Sequence, residues 1–234
     1  MTFQLEPTRM KTSLCPTPRL LRRAAAGLVA AALAGAPGLH AAEAKPVYEN
    51  TFESAALDKV PDDMLVLDGG FAVKEEAGNK FIELPGAPLE TFGILLGPSE
   101  ASGLSIQARV MGTGKGRRFP TFAVGLNGVG GHRLQVSPAK KLIELYKGDE
   151  VVTNAPLAWT SGSWTLLRLQ SRKVKEGEYR IEGRAWKQGD PEPKDWPISV
   201  VETAETPAGR PSIWGNPYAG TAIRYDDLRV TRTE

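Results

Sequence analysis

The ten residues 178-EYRIEGRAWK-187 alternate without interruption, and their reading sets the fold class. In an extended chain successive side chains point to opposite faces, so Tyr179, Ile181, Gly183 and Ala185 share one face. Glu178, Arg180, Glu182, Arg184 and Trp186 share the other. A helix would scatter both sets around its axis; a strand with one face in a core and one toward solvent or a ligand keeps them apart.

The same reading extends outward. Short β-rich or alternating runs occur at 47–52, 64–67, 71–75, 80–84, 92–96, 103–111, 121–126, 132–137, 141–147, 150–153, 164–172, 198–202 and 222–231. Turn chemistry separates many of them: Asp68-Gly69-Gly70, Gly78-Asn79, Asn127-Gly128, Gly148-Asp149 and Glu176-Gly177 supply residues that tolerate positive φ. Strand-length runs at regular spacing, with no helical period, predict an all-β protein built as a two-sheet antiparallel sandwich. The stretch 212-SIWGNPYAG-220 is rich in glycine and proline and reads as an irregular surface segment. In the last run, strict alternation puts Asp226 on the apolar face of Leu228 and Val230, with Tyr225, Asp227 and Arg229 opposite. A carboxylate on such a face needs a partner.

The N-terminal residues follow different rules. Ala24 to Leu39 form an apolar run of small residues, preceded by Arg19, Arg22 and Arg23 and followed by Ala41, Ala42 and Ala44. That order is the signature of a secretory signal peptide, and the run is short of the roughly 20 residues a stable membrane span needs. Residues 1–44 are therefore expected to be a cleavable signal peptide, cut after Ala41 or Ala44, and residues 45–234 a single domain exported to the periplasm or the exterior.

Of 29 Lys and Arg and 27 Asp and Glu, five basic and two acidic residues lie in this segment, which leaves the mature domain at −1. Cys15 is also left behind, and His132 is the one histidine downstream of His40. This composition excludes disulfide scaffolding, thiol catalysis and Cys- or His-rich metal clusters, and opposes nucleic-acid binding through bulk charge.

Several motifs then fall in a familiar order. Gly162 with Trp164 opens a run; Trp186 follows; Glu192-Pro193-Lys194-Asp195-Trp196 makes a turn; Tyr225-Asp226-Asp227-Leu228 closes the chain. In this order the sequence from Tyr48 to Val230 resembles the concanavalin A-like lectin/glucanase superfamily, in its laminin G-like jelly-roll branch. The resemblance implies two antiparallel sheets, one concave, with both termini on neighbouring strands.

It also implies candidate sites. Sugar-binding jelly rolls stack Trp and Tyr on pyranose rings and hydrogen-bond the hydroxyls with polar neighbours. The ligand-binding candidates are Trp214 and Tyr218 in the loop, with Trp186 and Arg184 on the polar face of 178–187. Trp164, Trp186 and Trp196 also suit the family's packing positions. Many such modules hold a structural calcium between acidic residues of the first and last strands, which carries over to Glu53 and Asp226. The alternative for Asp226 is backbone amides and no metal.

Catalytic patterns are weaker. The Glu-x-Asp-x-x-Glu arrangement of retaining glucanases is absent from the sequence. The 3-keto-disaccharide hydrolase domain shares the architecture, but its early Trp has no counterpart in FESAALDKVPDDML. The glycine-rich basic stretch MGTGKGRRF lacks phosphate-loop spacing and reads as a hairpin tip, whose Lys115, Arg117 and Arg118 suit an acidic glycan or bare solvent.

The resulting expectation is a secreted, non-catalytic module that binds a polysaccharide or cell-surface glycan. A glycoside hydrolase of the same fold and a structural or adhesive domain are the alternatives.

Overall fold

The run 178–187 becomes a strand over its whole length, and its two faces separate as alternation requires. Ile181 and Ala185 enter the core, and Gly183 lies against Leu134 of the opposing sheet, so closely that a Cβ there would stand 2.5 Å from a Leu134 methyl. The computed structural model describes residue 2, residues 45–88 and residues 90–233. The expected signal peptide, with its cleavage points at Ala41 or Ala44, lies outside the described residues.

Two antiparallel sheets form a sandwich. The first runs β13 (Ile198–Glu202), β12 (Glu178–Lys187), β11 (Trp164–Lys175), β6 (Leu104–Gly112), β15 (Ile223–Arg232), β4 (Asn79–Leu84) and β3 (Ala72–Glu76), with β1 (Pro46–Asn50) also paired to β15. The second runs β10 (Glu150–Pro156), β9 (Leu142–Lys147), β8 (His132–Ser137), β7 (Thr121–Leu126), β14 (Ser212–Asn216), β5 (Phe92–Leu95) and β2 (Leu65–Asp68). The first and last strands are neighbours, as the jelly-roll resemblance implies. No helix forms among the described residues.

Between the sheets, alternate residues such as Ile106, Val110, Val124, Leu134, Leu167 and Ile213 are fully buried. Burial of a side chain of this kind contributes about 1.5–3 kcal/mol, which is why the two-residue period of the sequence is so legible in the fold.

Two expectations need correction. The stretch assigned to a surface loop contains β14, a central strand between β5 and β7. Its glycine is a packing residue: a Cβ on Gly215 would stand 2.5 Å from the Tyr225 hydroxyl and 2.7 Å from Leu84. Close approach of the two sheets, not a turn, accounts for it.

The faces of the last strand also differ from strict alternation. The register to β6 shifts between Asp226 and Arg229, and Asp227 takes a φ of +47°. This β-bulge inserts one residue and reverses the phase. Tyr225 therefore joins Leu228 and Val230 in the core, where its hydroxyl donates to the Trp214 carbonyl at 2.7 Å. Asp226 turns to the outer face of the first sheet.

Candidate functional site

The outer face of the first sheet receives Arg184, Trp186 and Asp226. Arg184 and Trp186 are both buried, Arg184 beneath the turn that carries Glu192, Pro193 and Trp196. Arg184 donates to the Pro193 carbonyl at 2.5 Å, pairs with Glu192 at 2.5 Å, and stacks 3.9 Å from the Trp196 ring centre. The neighbouring Glu182 is held by Gln170 at 2.8 Å and Arg172 at 3.1 Å. This face is polar in composition and its charges are largely paired; it carries a cleft of about 480 Å³ lined by Arg168, Gln170, Arg172, Glu182 and Trp196.

Further along it, Asp226 is 1% exposed and meets Arg109 at 2.5 Å and Asn79 at 2.9 Å, and it accepts the Asp227 backbone N–H at 2.7 Å. Burial pushes its pKa up, against the pull of these donors. Arg109 also pairs with Asp227 at 2.8 Å and lies 4.6 Å from the Trp164 ring centre. Glu53 is exposed and accepts the Lys80 backbone N–H at 3.2 Å, while the Lys80 ammonium binds the Glu53 carbonyl at 3.1 Å. The pair does not fit a calcium ion: Asp226 is occupied by a guanidinium, and no cluster of three or more Asp, Glu, His or Cys side chains forms among the described residues.

The outer face of the second sheet is open. A groove of about 350 Å³ runs over β14, β7, β8 and β9. Beside it, small residues make room for the Trp214 ring. The register aligns Gly93 of β5, Trp214 of β14, Ala123 of β7 and Gln135 of β8 in one row. The Trp214 ring lies over Gly93, where a Cβ would stand 2.5 Å from it, and its Nε1 donates to Ser212 at 2.7 Å.

In the adjacent row, Gly125 and Tyr146 flank Arg133 across the strands. Its guanidinium lies 5.0 Å from the Tyr146 ring centre and 5.6 Å from that of Trp214. Burial pushes its pKa down, and its Nε has no hydrogen-bond partner.

Beneath the β9 side, Glu144 anchors the polar network. It accepts from Ser137 at 2.5 Å and from Lys140 at 2.9 Å, while Gln135 donates to Ser137 at 3.0 Å. Burial alone raises the pKa of Glu144, but hydrogen bonds from Ser137, Lys140 and Tyr146 outweigh it and hold the carboxyl below its ordinary range. On the β14 side the groove is lined by Asn216, whose Oδ1 lacks a partner, and by Tyr218. Tyr218 belongs to a tight turn held by Thr221, which donates to the Tyr218 carbonyl at 2.8 Å and accepts its N–H at 2.7 Å.

Of the four ligand-binding candidates the structure thus places Tyr218 in this groove and Trp214 next to it, against Arg133, and sends Arg184 and Trp186 to the opposite face. Trp214 is 8% exposed, so it is a floor rather than a free stacking platform. Arg133, Gln135, Ser137, Glu144 and Tyr146 were not singled out from the sequence. Their signal lay in the polar positions of 132-HRLQVS-137 and 142-LIELYK-147, which one hairpin places side by side.

No family model and no curated protein matches the sequence. Solved structures do match in shape. The carbohydrate recognition domain of Emp47p superposes with a TM-score of 0.56 at 11% identity, covering 84% of this chain and all of that one. The carbohydrate-binding module CBM66 from Bacillus subtilis gives 0.50 at 10%, covering 72% and 95%. A xylan β-1,4-xylosidase from Bacillus halodurans C-125 gives 0.55 at 11%, covering 81% of this chain and 40% of its own. In fold, the described domain is a two-sheet antiparallel sandwich of the kind these structures share.

Proposed function

We propose that the protein is an exported, non-catalytic module that binds a polysaccharide or cell-surface glycan in the groove over the second sheet. The observation that carries this reading is the groove itself: Tyr218, Tyr146 and Phe119 supply aromatic surface while Gln135, Ser137 and Asn216 supply hydrogen-bonding groups around one cavity. That mixture suits a sugar ring, which offers apolar C–H faces and a rim of hydroxyls. Domains named for carbohydrate binding share the fold, which supports the same reading. Kinship with the laminin G-like branch rests on the Gly162/Trp164, Trp186, Trp196 and Tyr225-Asp226 motifs.

The placement of the carboxylates supports the non-catalytic part. Glycoside hydrolysis uses two of them, roughly 5–9.5 Å apart, and one must hold a proton. No described residue lining the groove is a carboxylate, and Glu144 beneath it is kept ionised by its donors. Export rests on the segment 24–39 with its preceding arginines, and the near-neutral mature domain gives no grip on nucleic acid.

A glycan array run beside a reducing-sugar release assay tests this. Binding without release is expected. Release would restore the hydrolase, and a blank array with no release would favour a structural or adhesive domain.

A further inference from the structure

We propose that the groove selects an anionic sugar, specifically a polysaccharide bearing hexuronate carboxylates, with Arg133 as the recognition residue and the basic hairpin tip at 115–118 as its rim. This rests on the glycan-binding reading of the same groove and narrows it.

Charge accounting within the groove comes first. Lys140 and Glu144 neutralise each other at 2.9 Å. Arg133 makes no salt bridge with any described residue; it is held only by the faces of Tyr146 and Trp214, and Asp149 acts on it at longer range. The arginines of the first sheet's outer face behave differently: Arg109, Arg172, Arg184 and Arg224 each meet a carboxylate. A desolvated guanidinium left without a counter-ion in a cavity is a site for one, and its planar fork matches a carboxylate.

A separate observation points the same way. The tip 111-MGTGKGRRF-119 had no role in the core. Its Phe119 is anchored edge-on against Trp159, with ring centres 6.4 Å apart, and lines the groove. This brings Lys115 to the turn that carries Tyr218: its Nζ lies 3.5 Å from where a Cβ of Gly220 would stand. Lys115, Arg117 and Arg118 are exposed, and none forms a salt bridge with a described residue. A cationic rim beside a cationic floor suits a repeating polyanion, one sugar seated over Arg133 and its neighbours along the rim.

Isothermal titration of the purified protein with oligogalacturonides, oligomannuronides and oligoglucuronides tests the proposal. The controls are the same oligosaccharides after reduction of their carboxyls to alcohols, and neutral oligosaccharides of equal length. At least one uronide is expected to bind about tenfold or more tightly than its reduced form, the scale of one charge-assisted hydrogen-bonded pair. Added salt is expected to narrow that gap.

Arg133→Gln is expected to abolish the gap. The triple change Lys115→Ser, Arg117→Ser and Arg118→Ser, confined to an exposed tip and so safe for folding, is expected to weaken the uronide several-fold and leave neutral sugars alone. Equal binding of acid and reduced forms, or binding of neutral sugars only, overturns the proposal while leaving the glycan-binding reading in place. If no sugar binds, the glycan reading falls and this one with it.

Discussion

On the outer face of the first sheet, Arg184 meets Glu192, Arg172 meets Glu182 and Arg109 meets both Asp226 and Asp227, with Trp196 and Trp164 stacked on two of the guanidiniums. On the outer face of the second, Arg133 has two aromatic rings and no carboxylate, and Asn216 keeps an unpartnered oxygen. The residue types are nearly the same; the outcomes are opposite. On the first face each of these cations already has its anion, and Arg168, Arg172 and Glu182 in the cleft beside Trp196 are paired among themselves and with Glu192. On the second, Gly93 and Gly125 make room for the Trp214 ring, and Arg133 beside that ring stays without a carboxylate. A polar strand face is therefore evidence of a site only when its charges are not already spent on one another.

Substitutions can break this contrast from either side. The largest effect is expected at Trp214. Its ring is buried over Gly93, so Trp214→Ala should lose about 3–5 kcal/mol, the usual range for a buried large aromatic, in urea unfolding. A midpoint close to wild type would show that the ring is a ligand platform after all.

Arg109→Met should rank next. Removing one partner of a buried pair costs about 3–5 kcal/mol; the lower end is expected, because Asn79 and the Asp227 amide still serve Asp226. Sugar affinity of the folded protein should not move, since this residue lies on the other sheet from the groove. A loss of affinity would place the ligand on the wrong sheet.

Tyr218→Ala reverses the pattern. Its ring lines the groove outside the main core, so stability should stay within about 0.5 kcal/mol while glycan affinity, measured by titration, falls about tenfold. An affinity unchanged by this substitution would remove Tyr218 from the site.

Smaller effects concern how the sheets are joined. His132 of β8 is 1% exposed and bonds Glu202 of β13 at 3.0 Å, and Lys147 of β9 binds the same carboxylate at 2.8 Å. Burial, only partly opposed by Glu202, holds the His132 pKa below its ordinary value. The folded state thus binds the proton less readily than the unfolded chain does. The contribution is complete above the unfolded pKa of about 6.5 and is lost as pH falls through the lower folded value. Thermal melts should therefore drop on acidification below pH ~6.5, and His132→Gln should remove that part of the drop. Melts with calcium and with chelator should coincide, since Arg109 already occupies Asp226; a rise with calcium would restore the ion to Glu53 and Asp226.

Local pattern was enough for most of the fold. Strands such as 121–126, 132–137, 178–187 and 198–202 are legible because burial between two sheets repeats every second residue. β14 was hidden because its glycine and flanking prolines look like turn chemistry, while the need for Gly215 comes from Tyr225 and Leu84, on distant strands. Asp226 was turned to the wrong face because a single bulged residue at Asp227 reverses alternation, and nothing in the neighbouring letters announces it.

The site divides in the same way. Sequence alone determined the strand-rich character of the domain, the near-neutral charge of residues 45–234 and their lack of cysteine, because these depend on composition and on neighbours along the chain. Only the tertiary structure decided on which polar face a cation is left without an anion. Whether an arginine is neutralised depends on carboxylates brought from elsewhere, Glu192 to Arg184 across a turn and Asp226 to Arg109 from 117 residues away, and none to Arg133.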